Sequence, residues 1–165
     1  MGNLMIDGLD AAGVIIRVVS LKVSLEEFLA IARSLSAGGE VVQLFDPDSI
    51  IDKNHVVAAY LNSVVAFRDG VNRSKSPDTE MLLFAAMTKQ ISDAVRLVGA
   101  KTGEMALLFA TKRSYARIRE YIRRERMFVV SKRHKIEAAA KFGISADVES
   151  DIYLPNRMSL IRLES

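Results

Sequence analysis

Cysteine is absent from the sequence, and histidine occurs only twice, at His55 and His134. The absence of cysteine excludes disulfide bonds, a thiolate nucleophile and zinc sites with cysteine ligands. Two histidines are too few for a histidine-rich metal centre. We therefore expect a protein that has neither a metal site nor a cofactor.

Long apolar runs are also missing. The longest one, Met81 to Met87, is far shorter than the roughly 20 residues that a membrane-spanning helix needs. Residues 1–7 lack the basic segment and apolar run of a secretory signal. We expect a cytoplasmic protein that does not bind membranes.

The charge is unevenly distributed along the chain. The net charge is +3, yet residues 112–141 contain eleven lysines and arginines against three glutamates, a local balance of +8. The rest of the chain therefore sums to −5. Such a block is a candidate binding surface for a polyanion. A charged run taken alone is more often a solvated helix face.

Four segments have the β-branched or alternating pattern of strands. They are Val14–Val19, Val41–Phe45, Met105–Ala110 and Met158–Leu163. Six segments have helical patterns. The first is capped by Ser24, and the others are Asp52–Arg68, Met81–Met87, Ile91–Val98, an arginine-rich helix around Tyr115, and Lys135–Phe142. We expect a single domain over residues 1–165. Its predicted class is α+β, with an antiparallel or mixed sheet of about four strands packed with several helices.

Apolar spacing also predicts the buried faces of these helices. The predicted core stripe of Asp52–Arg68 consists of Val57, Tyr60, Leu61, Val64 and Phe67. The predicted apolar face of the arginine-rich helix consists of Tyr115, Ile118 and Ile122. Met81–Met87 is apolar all round, which indicates a central, buried helix, whereas Ile91–Val98 is the clearest amphipathic helix.

No catalytic motif is complete. Asp46, Asp48 and Asp52 cluster like calcium ligands, but the loop lacks the required glycine at its sixth position and the glutamate at its twelfth, which is Val57. These aspartates are typical of helix caps and turns. The segment 99–103 has the glycines and lysine of a phosphate loop in the wrong order. We therefore expect no enzymatic activity.

Polar and basic residues recur at the starts of the middle helices. They are Lys53, His55, Arg73, Lys75, Lys89 and Gln90. Helix N-termini favour anions, and lysine or arginine beside them makes a phosphate site. Amide and hydroxyl donors can read the bases of single-stranded RNA. The alternative is that these are ordinary solubilising side chains at three helix starts.

At these residues the chain resembles a known family. The resemblance rests on the ordered segments Asp48–Val56, Asn72–Ser76, Glu80–Leu83 and Lys89–Ile91, followed by Ala94, Gly99, Lys135–Ile136, Phe142–Ile144 and Leu160–Leu163. This order is similar to that of the p53-related-kinase-binding protein (TPRKB) family, in its archaeal form a subunit of the KEOPS complex. Glu80 is part of this pattern, and its simplest role is structural.

The resemblance implies a compact α+β subunit without an active site of its own. The complex makes threonylcarbamoyladenosine in tRNA, and this subunit is expected to bind its small atypical kinase and to contact the other KEOPS subunits only indirectly. It is also expected to recruit tRNA by the single-stranded CCA end. By this resemblance Lys53, His55, Arg73, Lys75, Lys89 and Gln90 form the RNA-binding side.

The chain departs from the family in two places. Many relatives have a Ser-Gly pair where this chain has Ala86-Met87. The chain is also unusually rich in arginine at a candidate second basic surface, formed by Arg113, Arg117, Arg119, Arg123, Arg124 and Arg126. That surface suits a tRNA backbone, an acidic partner or solubility alone. Two alternative functions stay open: a regulator that binds only the kinase protein, and an unrecognised nucleotide-processing enzyme.

Overall fold

The computed structural model describes residues 13–36, 39–145 and Met158. Within them the strands are β1 (Val14–Leu21), β2 (Val42–Phe45), β3 (Ala106–Thr111) and β4 (Ile122–Met127). The helices are α1 (Leu25–Leu35), α2 (Lys53–Arg68), α3 (Pro77–Ala86), α4 (Ile91–Val98), α5 (Lys112–Ile118) and α6 (Lys132–Ala140). Two 3-10 turns, Pro47–Ser49 and Arg119–Tyr121, precede α2 and β4.

The four strands form one sheet in the order β2-β3-β1-β4. Every neighbouring pair is antiparallel, and β1 lies between β3 and β4, with Ile16 opposite Phe109 and Val19 opposite Glu125. The predicted α+β class and the sheet of about four strands are therefore confirmed.

Helices cover both faces of the sheet because successive strand residues point to opposite sides. On one face, Leu107 and Phe109 of β3 belong to the core that α2, α3, α4 and α6 share. On the other face, Leu108 packs in a second core with Phe28 of α1 and Ile118 of α5. Both faces of β3 are buried, so its sequence is apolar from Ala106 to Ala110 rather than alternating.

The predicted fourth strand is a different segment. The expected arginine-rich helix ends at Ile118, and Ile122–Met127, predicted to continue it, instead forms β4 at the edge of the sheet. The expected role of Ile122 on a helix face is thus wrong: it pairs with Leu21 of β1. An edge strand exposes most of its side chains, so arginines are tolerated there. Of the predicted strand Met158–Leu163, Met158 is helical and buried, and the remainder lies outside the described residues.

The predicted core stripe of α2 is also partly wrong. Val57 is buried, but Val64 is 39% exposed, and the inward face instead carries Val56, Ala59 and Ala66. Small side chains are used there because α3 packs closely along α2. The prediction for α3 is confirmed, since eight of its ten residues are buried.

The amphipathic prediction for α4 is confirmed for half of its apolar stripe. Ala94 and Val98 are buried, whereas Ile91 and Val95 are 49% and 51% exposed. Among the described residues, no helix is both long and apolar enough to cross a membrane.

Candidate nucleic-acid interface

The α2–α3 hairpin (residues 53–86) carries most of the predicted RNA-binding residues. Its two helices run antiparallel, since the start of α2 meets the end of α3, where His55 Nε2 donates a 2.8 Å hydrogen bond to the Ala85 carbonyl. At the other end, residues 69–76 connect Arg68 of α2 to Pro77 of α3. The predicted residues therefore fall into two groups at opposite ends of α3, about 15 Å apart by the rise of a ten-residue helix.

The first group comprises Lys53, Lys89 and Gln90. Lys53 is the first residue of α2 and is half-buried, while Lys89 and Gln90 are exposed between α3 and α4. Gln90 occupies the N-cap position of α4, but its side chain makes no capping hydrogen bond. The first N–H groups of α4 therefore lack a side-chain cap, the condition under which a helix start attracts an anion.

The departure from the family at Ala86-Met87 has a structural explanation. Met87 ends α3 in the left-handed conformation, with φ of 54°, and the Thr88 N–H bonds the Leu83 carbonyl at 3.2 Å. This is the backbone position at which glycine is favoured. A methionine therefore makes the turn here that a glycine would make more readily, and the chain still presents Lys89 and Gln90 after it.

His55 does not lie on the surface. Its side chain is fully buried; Nδ1 accepts a 3.1 Å hydrogen bond from the Ile51 N–H, and the ring meets that of Phe142 edge-on at 5.3 Å. Burial lowers the pKa of the imidazole, which keeps it neutral, with its proton on Nε2. The expectation that His55 contacts RNA is therefore corrected: it has no exposed atom, and it fixes the start of α2 against the end of α3.

The second group, Arg73 and Lys75, lies in the loop before α3. Lys75 is exposed and Arg73 half-buried. Glu80, only 1% exposed, organises this loop, since its carboxylate accepts hydrogen bonds from the Arg73 N–H at 3.0 Å and from the Ser74 N–H at 2.8 Å. The Ser74 hydroxyl donates a third bond at 2.7 Å. The structural role predicted for Glu80 is confirmed.

The aspartates before α2 act as caps, as predicted. Asp46 accepts from the Asp48 N–H at the Pro47–Ser49 turn, and Asp52 accepts from the His55 N–H at the start of α2. Asp52 also pairs with Lys135 of α6 at 3.5 Å. Within residues 13–36 and 39–145, no three histidine, aspartate or glutamate side chains are grouped so as to hold a metal ion.

Asp52→Ala should lower the free energy of unfolding by about 1–2 kcal/mol, because it removes a helix cap together with a half-buried ion pair. Asp52→Asn should retain most of the stability, since asparagine also caps helices. Urea unfolding of both variants measures the difference. An Asp52→Asn variant as unstable as Asp52→Ala would show that the Lys135 pair, rather than the cap, dominates.

Comparison with known sequences identifies the family. A family model described as kinase binding protein CGI-121 matches residues 24–115, more than half of the chain. The chain belongs to this family. The KEOPS complex subunit Cgi121 of Pyrococcus abyssi (strain GE5 / Orsay) is 37% identical over 54 residues, which is 33% of this chain and 32% of that protein. The match thus spans about a third of the length of that relative. The predicted family resemblance is confirmed.

The CGI-121 match runs from α1 into α5 and so includes the whole α2–α3 hairpin. It also includes Gly99, the closing glycine of the family pattern. A Cβ at Gly99 would lie 2.6 Å from the Val95 carbonyl oxygen, so a larger residue would push α4 away. All of β4 and all of α6 lie outside the matched range.

The candidate second basic surface lies on other elements of this CGI-121 chain. Its arginines are all exposed: they are Arg113 and Arg117 on α5, Arg119 in the following 3-10 turn, and Arg123, Arg124 and Arg126 on β4. They surround the β4 edge of the sheet, whereas Lys53, Lys89 and Gln90 lie where α2, α3 and α4 meet. The arginine surface and the α3–α4 junction therefore lie in separate regions of the fold.

Sequence reasoning missed how α6 supports the start of α2. His134 Nε2 donates to the Ile50 carbonyl at 2.7 Å, and Lys141 Nζ donates to the Asp48 carbonyl at 3.1 Å. The start of α6 was detectable, because Ser131 caps it by accepting from the His134 N–H. The place where α6 docks was not detectable from the sequence, because these bonds join residues more than 80 positions apart.

Proposed function

We propose that this protein is a non-catalytic subunit of a KEOPS-type complex, which makes threonylcarbamoyladenosine in tRNA. In this role it binds the small atypical kinase and recruits tRNA by the single-stranded CCA end. Two findings support the kinase and complex parts: its family is described as kinase-binding, and a 37% identical relative is a KEOPS complex subunit.

The junction of α3 with α4 carries the RNA part of the proposal. Lys53 and Lys89 supply positive charge at an α4 start that has no side-chain cap, and exposed Gln90 supplies an amide. This combination of a phosphate site with a base-reading side chain suits single-stranded RNA. A duplex would not offer its base edges to Gln90 in this way.

The loop before α3 extends the proposed RNA path. Arg73 and Lys75 lie at the far end of α3, about 15 Å from Lys89 by the helix rise. One phosphate cannot contact both groups over this distance, so they would bind different nucleotides of a short single strand. Glu80 holds the loop backbone by its hydrogen bonds, which reduces the entropy that RNA binding must otherwise remove.

The non-catalytic part is supported by how the nearby polar side chains are used. His55 is buried with both ring nitrogens bonded, and the carboxylates of Glu80 and Asp52 accept from backbone N–H groups. These groups act in structure, and none of the three forms an exposed acid–base pair of the kind that general catalysis needs.

The test compares intact tRNA with tRNA lacking its CCA end, bound to the isolated protein. We expect trimming to weaken binding about tenfold or more, equivalent to about 1.4 kcal/mol. Lys53→Glu and Lys89→Glu should weaken binding of intact tRNA similarly and have little effect on trimmed tRNA. Arg33→Glu is the matched control, because Arg33 is exposed on α1, across the sheet from the hairpin.

Two outcomes contradict the proposal. If intact and trimmed tRNA bind equally, the CCA site at the α3–α4 junction is wrong. If neither RNA binds at low salt while the kinase still binds saturably, the protein is a regulator that binds only the kinase. RNA binding should also weaken steeply with salt, because neutralised phosphates release counterions.

A further inference from the structure

A groove of about 500 Å³ lies over β1, between β4 and the segment before β3. Its walls include Ser20 of β1, Glu104 and Met105 before β3, and Arg123, Arg124, Glu125 and Arg126 of β4. It is separate from the α3–α4 junction, and β4 lies outside the part of the chain that the family model matches.

A β-bulge lies at Arg123, beside this groove. Arg124 pairs with Ser20 and Ile122 with Leu21, so Arg123 has no partner on β1. Side chains of a regular strand alternate between the two faces, whereas a bulge bends the strand and redirects a side chain. Arg123, Arg124 and Arg126 line the groove together with Glu125.

The arginines of this region are not held in ion pairs within the part of the chain that the structure describes. Over residues 113–126, six arginines and two glutamates leave a net charge of +4. None of the six forms an ion pair with a carboxylate in the described part of the chain, whereas Arg68, Arg96 and Arg133 pair with Asp69, Asp93 and Glu137. Of the two glutamates, Glu125 accepts the Tyr115 hydroxyl.

The arginine side chains supply the donors of this groove. Guanidinium groups present paired N–H donors, which match the oxygens of a phosphate. The Ser20 hydroxyl is closed to solvent and has no hydrogen-bond partner among the described residues, so it offers no donor to a ligand.

We propose that this groove binds the phosphate backbone of tRNA, as a second contact independent of the CCA end. The inference rests on the proposed tRNA-binding function and adds a surface to it. Residues 113–126 contain arginine but no lysine, and arginine is the side chain preferred for bidentate phosphate contacts. An acidic peptide that added a strand to β4 is the other occupant, but the bulge at Arg123 interrupts the regular edge that strand addition needs.

The test uses tRNA without its CCA end, so that the α3–α4 junction is not engaged. Arg123, Arg124 and Arg126 are changed together to glutamine. The control changes Arg68, Arg96 and Arg133 to glutamine, which removes the same charge from exposed arginines that are already paired. Circular dichroism checks that both variants are folded.

We expect the groove variant to bind trimmed tRNA about tenfold more weakly at low salt. Its plot of log Kd against log salt should lose about 2–3 units of slope, since each neutralised phosphate contributes roughly 0.7–0.9. The control should keep the wild-type slope. Equal losses in the two variants, or none in either, would overturn the proposal.

The same variants separate this inference from the proposed function. If Lys89→Glu does not weaken binding of intact tRNA but the groove variant weakens both RNAs, the CCA site fails and the groove stands. If the groove variant binds RNA normally but loses an acidic polyglutamate peptide that the wild type binds, the groove serves a protein partner and the phosphate assignment is wrong.

Discussion

Glu80→Ala is expected to lower the free energy of unfolding by about 3 kcal/mol. The Glu80 carboxylate is almost fully buried and accepts from two backbone N–H groups and one hydroxyl. Alanine would leave these donors without their acceptor, and a buried donor that loses its partner costs about 1–3 kcal/mol. Chemical denaturation with urea measures the loss.

Two controls bracket the expected loss. Ser74→Ala removes one donor and leaves the carboxylate with its backbone partners, so we expect a cost of about 1 kcal/mol. Glu26→Ala, at an exposed position of α1, should change stability by less than about 0.5 kcal/mol. A Glu80→Ala variant as stable as Glu26→Ala would show that the loop does not depend on this carboxylate.

The Glu80→Ala variant also tests the link from loop order to RNA binding. Arg73 and Lys75 remain in the sequence, but the backbone that positions them loses its anchor. We expect weaker binding of intact tRNA under conditions where the variant is still folded. If the variant binds like the wild type, the loop before α3 contributes little to the interface.

Helix starts were predictable because their signals are local. Ser24 caps α1 by accepting from the Glu27 N–H, and Asp46 and Asp52 cap the turn at Pro47 and the helix α2 as expected. Each of these bonds joins residues two or three positions apart. A local sequence pattern therefore contains everything needed to predict them.

The segment after Ile118 was not predictable in the same way. Tyr115, Ile118 and Ile122 fit a helical spacing, yet the chain turns at Arg119–Tyr121 and forms β4. Three apolar residues do not distinguish a longer helix from a helix followed by a strand. Pairing with β1, about 100 positions earlier in the chain, decides the outcome.

The candidate site was likewise only partly predictable from the sequence. The sequence placed the basic residues correctly at helix starts or in the loop before one, but it did not show that His55 is buried or that the hairpin divides the set between two ends of α3. Both facts depend on which face of α2 meets α3. That face carries Ala59 and Ala66 rather than the larger Val64, because close helix packing favours small side chains over apolar area.

Acidification from pH 6.5 to 5 should lower the stability of the protein through His55. Burial lowers the pKa of its imidazole below the ordinary value of 6.5, outweighing the opposite effects of the Ala85 carbonyl and Asp52. Below pH 6.5 the unfolded chain binds a proton at His55 that the folded chain does not. The contribution of His55 to the free energy of unfolding is therefore fully present above pH 6.5. It is lost as the pH falls toward the folded pKa, by at most about 1.4 kcal/mol per pH unit.

The chemistry of the two ring nitrogens gives the reason for this dependence. Nε2 already carries a proton, which it donates to Ala85, while Nδ1 accepts from the Ile51 N–H. A second proton on Nδ1 would face that N–H, so the bond to Ile51 would be lost. The start of α2 would then be released from the segment before it, and Lys53 would lose its fixed position.

His55→Gln and His134→Gln form the matched pair for measuring this effect. Urea unfolding at several pH values between 5 and 7 gives the free energy of unfolding for each variant. His55→Gln should show a flatter dependence on pH, because the buried titrating group is gone while an amide can still donate to Ala85. His134→Gln retains His55 and should keep a steep dependence. If the two variants have equal slopes, a group other than His55 causes the acid sensitivity.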